Sequence, residues 1–88
     1  MTREAAIAQL LRDAGAAHHQ AFAEVNGADD AWPAWYAQWL LPRLAPHLSV
    51  SVQDLAVALT ELDTEHQRTP GAAPWPEFYG AALVRRFG

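Results

Sequence analysis

The sequence predicts an all-α fold, a four-helix bundle built from two related helix–turn–helix hairpins. Three observations predict it. Apolar residues recur at spacings of three and four along most of the chain. Turn residues, "NGADD" at 26–30 and "TPGAAP" at 69–74, separate the periodic stretches. One segment also returns later in the chain: "WPAWYAQWLLPRL" at 32–44 matches "WPEFYGAALVRRF" at 75–87, with Trp32/Trp75, Pro33/Pro76, Tyr36/Tyr79, Leu40/Leu83 and Arg43/Arg86 identical. Each copy follows a longer amphipathic stretch and a turn, the pattern of a duplicated hairpin.

The first helix is expected over 3–25, with Thr2 as N-cap. Ile7, Leu11, Ala14, His18, Phe22 and Val25 form its apolar stripe. Gly15 lies near that stripe although glycine costs about 1 kcal/mol relative to alanine in a helix, which points to a neighbour approaching closely. Asn26–Gly27 suits a left-handed C-cap.

The second helix is expected over 33–45, capped by Asp29 or Asp30, with Pro33 in the first turn where an N–H would be unpaired. Pro42 removes the bond to the carbonyl of Gln38, so a kink or an end is expected there. The third, 51–67, starts on Ser51 with Asp54 three residues on, a start resembling a capping box. Val52, Leu55, Leu59, Leu62 and His66 share one of its faces. "LSVSV" alternates like a strand but is too short and has no partner. The fourth helix is expected over 76–87.

Length and composition set the outer limits. At 88 residues, with 51% hydrophobic and 18% charged residues, the chain reads as one folded helical domain over 1–88. Six basic residues against ten acidic ones give a net charge of −4 and no basic stripe, so no nucleic-acid partner is expected. The apolar runs are too short to span a bilayer, and the charged start lacks a signal-peptide core, so no membrane partner is expected and the cytoplasm is. Four Trp are many for so small a core; a homodimer burying Trp35 and Trp39 would account for part of the surplus.

Polar groups on apolar faces carry the functional information. His18 falls at the centre of the first helix's apolar face and His66 within that of the third. Tyr36 and Tyr79 are central on the second and fourth, as are Arg43 and Arg86. Buried, such groups either satisfy one another or converge on a ligand. If they converge, the site lies between the hairpins, lined by His18, Tyr36, His66 and Tyr79, with Arg43 or Arg86 at its edge to favour an acidic ligand.

No nucleophile elbow, phosphate-binding glycine loop or zincin motif is present, so no catalytic residue is assigned. His18 and His19 diverge by about 100° on a helix and cannot share an ion. Asp63 and His66 form a single Asp-x-x-His pair with no second copy. Neither metal nor cofactor is expected. The function expected is a non-catalytic binding or interaction module acting through a partner protein or a small ligand. The alternative is a ligand sensor or small enzyme built around His18.

The run "AHHQAFAEVNGADDAWPAWYAQWLL" at 17–41 resembles a group of small bacterial proteins of unassigned activity. They share an Ala-His, an aromatic four residues on, a Gly, an Asp and Trp-Pro-x-Trp-Tyr-Ala. These are Ala17, His18, Phe22, Gly27, Asp29 or Asp30, Trp32, Pro33, Trp35, Tyr36 and Ala37 here. The resemblance covers under a third of the chain and implies that His18 belongs with the Trp-Pro-x-Trp-Tyr run.

Overall fold

The computed structural model describes residues 2–88, whose regular elements are all helical: α1 (Arg3–Ala21), α2 (Trp32–Leu44), α3 (Val52–Gln67) and α4 (Trp75–Phe87). Helix α1 packs on α2 and α4, and α3 packs on the same two, so the four close into a bundle. None is long and apolar enough to cross a membrane.

Helix ends follow the local chemistry with two exceptions. The Thr2 hydroxyl accepts from the Ala5 N–H at 3.1 Å, and the Ser51 hydroxyl from that of Asp54 at 3.1 Å, each satisfying one orphan donor of a first turn. The first exception is the end of α1, expected at 25 but found at Ala21. The chain leaves the α-helix at Phe22 and tightens into a 3-10 turn over Ala23–Val25. Asn26 and Gly27 then take positive φ, 58° and 80°, and reverse the chain. This earlier exit returns the following loop to the helix it has just left.

The second exception is the start of α2. Ala31 is its N-cap, with no side-chain bond, rather than Asp29 or Asp30. Pro33 in the first turn has no N–H to cap, so the need is smaller. Asp29 acts one step upstream, accepting from the Ala31 N–H at 3.0 Å. Pro42 lies within α2, which ends two residues later at Leu44.

The core is aliphatic: Ile7 and Leu11 of α1, Leu40 and Leu44 of α2, Leu55 and Leu59 of α3 and Leu83 of α4 are fully buried. Leu40 and Leu83 are corresponding positions of the matching segments. A different shift, 48 residues, carries Ile7, Leu11, Ala14 and His18 of α1 onto Leu55, Leu59, Leu62 and His66 of α3. The two shifts differ because the stretch from His66 to Trp75 is shorter than that from His18 to Trp32, partly in the loop and partly in the last turn of the helix before it.

Small residues set how closely the hairpins approach. A Cβ on Gly80 would lie 3.0 Å from the Glu4 carbonyl and 3.3 Å from the Ala8 nitrogen, so α4 meets the backbone of α1 directly. A Cβ on Gly15 would stand 3.4 Å from the Trp75 ring and 3.5 Å from the Tyr36 hydroxyl. The unfavourable glycine in α1 thus makes room for an aromatic from each hairpin.

Candidate functional site

The two histidines are held by parallel devices. His18, 6% exposed, donates from Nε2 to Asp29 Oδ2 at 3.0 Å. Its ring meets Trp35 edge-on at 5.1 Å and lies 5.1 Å from Tyr36 and 4.7 Å from Phe22. His66 donates from Nε2 to the Ala73 carbonyl at 2.8 Å. It meets Phe78 edge-on at 5.0 Å and Tyr79 at 6.2 Å. Phe78 and Tyr79 correspond to Trp35 and Tyr36. Each histidine therefore sits in the last turn of the first helix of its hairpin, ties down the loop that follows, and packs on the same two positions of the second helix.

A pocket of about 280 Å³ opens at the end of the bundle where α2 and α4 begin; Trp32, Tyr36, Asp63, His66, Trp75 and Tyr79 line it. Consecutive rings run from Trp32 to Tyr36 (5.4 Å, 81°), Tyr36 to Trp75 (6.4 Å, 70°) and Trp75 to Tyr79 (5.3 Å, 63°), each turned steeply from the last. Both Trp-Pro starts contribute a Trp and, one turn later, a Tyr, because Pro33 and Pro76 fix where α2 and α4 begin.

Asp63 accepts two hydrogen bonds, one from inside the pocket and one from beside it. The Tyr79 hydroxyl donates to Oδ1 at 3.3 Å, and the Gln67 side-chain amide donates to Oδ2 at 3.1 Å. Burial pushes the Tyr79 phenol well above its ordinary pKa, and the charge and hydrogen bond of Asp63 add to the rise. Tyr36 is raised by burial alone. Both phenols stay protonated at neutral pH. Among the described residues no salt bridge reaches Asp63.

The structure brings together three of the residues expected at a site, Tyr36, His66 and Tyr79, and leaves three outside it. His18 stands behind Tyr36, turned to Asp29, so the pocket is not centred on it. Arg43 and Arg86 are at the far end of their helices. Arg43 lies 3.7 Å over the Trp39 ring and donates to the Trp39 carbonyl at 2.6 Å. Arg86 pairs with Glu61 at 2.6 Å on the surface. Helical periodicity puts an arginine on a face but not at a depth, and a chain this long reaches water from the edge of a core. The expectation of an acidic ligand rested on those arginines, and neither lines this pocket.

Three lining residues were not expected at the site: Trp32, Trp75 and Asp63. The Trp pair was visible as a repeated Trp-Pro start, and Asp63 stands one helical turn before His66. Trp35 and Trp39, expected at an interface, are partly buried on α2; Trp35 packs on His18 and Phe22, and Trp39 lies beneath Arg43. Among the described residues no group of three or more His, Cys, Asp or Glu could hold a metal ion. The chain matches no protein-family model, no curated protein and no solved structure.

Proposed function

We propose that the protein is a binding module that holds a small molecule in the aromatic pocket between its hairpins. One observation carries this reading: the pocket is walled by both hairpins at once, with corresponding Trp and Tyr residues from α2 and α4 around a hydrogen-bonded carboxylate. Convergent polar groups in a concave aromatic setting are the usual composition of a ligand site. The Tyr79 hydroxyl and His66 Nε2 are held by Asp63 and the Ala73 carbonyl, which fixes the two side chains in the pocket wall.

A thermal-shift screen of small metabolites of mixed charge tests the reading, with wild type beside Trp32→Ala. Trp32 is partly exposed, so the variant should fold while losing a wall of the pocket. A ligand at a hundred times its Kd should stabilise wild type by about 2.7 kcal/mol and leave the variant unshifted. A ligand that stabilises both equally binds elsewhere, and the absence of any hit overturns the proposal.

A homodimer through Trp35 and Trp39 is a second reading, supported by the two indoles standing one turn apart and partly exposed on α2. Sedimentation equilibrium at high micromolar concentration should return twice the chain mass, and a monomer there removes it. The matching surroundings of His18 and His66 likewise support reading 32–44 and 75–87 as an internal repeat.

A further inference from the structure

We propose that the pocket takes a small organic cation, an alkylated ammonium head group seated among the Trp32, Tyr36, Trp75 and Tyr79 rings and paired with Asp63. The inference rests on the binding reading above and adds the chemistry of the ligand.

Three observations point the same way. The first is charge. Asp63 is the one carboxylate among the lining residues; it is partly buried, and among the described residues no salt bridge neutralises it. Its bonds from Tyr79 and Gln67 orient the carboxylate but leave its charge intact, since both donors are neutral. Two helices start and two end at this end of the bundle, so their dipoles oppose one another.

The second observation is the walls. Four electron-rich rings line the pocket, consecutive ones meeting edge to face at interplanar angles of 81°, 70° and 63°. Ring faces attract a cation through their quadrupoles, and an alkylated ammonium suits them because its methyl groups bury apolar surface while the charge spreads over them. The third is that no arginine is among the lining residues to pair with Asp63 or to hold an anion. A carboxylate or phosphate ligand would meet Asp63 with no arginine to offset it. A neutral apolar ligand would fill the pocket but leave the carboxylate unpaired.

The experiment compares choline with its neutral carbon isostere, 3,3-dimethylbutan-1-ol, by Trp fluorescence titration and by two-dimensional NMR of the four indole N–H groups. Wild type should bind choline more tightly than the isostere by roughly tenfold or more, with the largest shifts at Trp32 and Trp75. Asp63→Asn keeps an acceptor for Tyr79 but no charge. It should lower choline affinity by roughly tenfold or more and leave the isostere unchanged. Equal affinity for the two ligands, or no effect of Asp63→Asn, overturns the cation assignment. If choline fails while an acidic or neutral compound from the screen binds and Trp32→Ala abolishes that binding, the pocket stands and its cationic ligand falls. If nothing binds at any charge, both fall together.

Discussion

The two hairpins hold a histidine in the same place and use it against different partners. In the first, His18 is buried and bonded to the part-buried carboxylate of Asp29, whose other oxygen holds the start of α2. In the second, His66 is half-buried and bonded to the backbone carbonyl of Ala73 in a shorter loop. One turn before each histidine the contrast deepens. Gly15 in α1 makes room for Trp75 and Tyr36, whereas the corresponding position of α3 is Asp63, beside the pocket. Two similar units can thus share a core while one position, filled with a ring on one side and lined by a carboxylate on the other, creates a cavity at their junction.

The largest test of this correspondence is in the core. Leu40 and Leu83 are both fully buried at matching positions of α2 and α4. Leu40→Ala and Leu83→Ala should each cost about 2–5 kcal/mol in urea unfolding, and nearly the same amount as each other. A large gap between the two would show that the hairpins share their aromatic residues but not their packing.

The histidines should then separate. His18→Phe leaves Asp29 Oδ2 without its donor in a site where the side chain is 13% exposed, so it should cost about 1–3 kcal/mol. His66→Phe leaves a single backbone carbonyl that water can reach, and should cost under about 1 kcal/mol. Paired denaturation curves decide between this order and its reverse, which would make the second loop the better anchored.

The smallest effect is in the tyrosines at high pH. Both folded phenols have pKa values raised above the ordinary 10.0, and Tyr79 is raised further because Asp63 adds its charge to burial. Above pH 10 the unfolded chain therefore loses tyrosine protons that the folded chain retains, so stability falls as pH rises. Below that pH the contribution is complete. Tyr79→Phe should flatten the alkaline loss more than Tyr36→Phe does, measured as the change in urea midpoint from pH 9 to pH 11. Equal flattening would mean that Asp63 contributes nothing to Tyr79.

Periodicity, caps and turn residues determined the four helices, the Thr2 and Ser51 starts and the placement of the core leucines. These depend on neighbours within a turn or two, which the sequence carries explicitly. The Trp-Pro starts of α2 and α4 were legible for the same reason. The sequence also placed Tyr36, His66 and Tyr79 on inward faces and marked Gly15 as a point of close approach. Tertiary structure decided the rest. Whether His18 faced a ligand or Asp29 depended on a loop leaving α1 at Phe22 and doubling back, a matter of Asn26 and Gly27 geometry and of the space beside Trp35. Whether an arginine or an aspartate supplied the pocket's charge depended on which ends of the helices meet. Periodicity gives a residue its angle around a helix, but only the packing of hairpin against hairpin gives its height in the bundle and its neighbour across the gap.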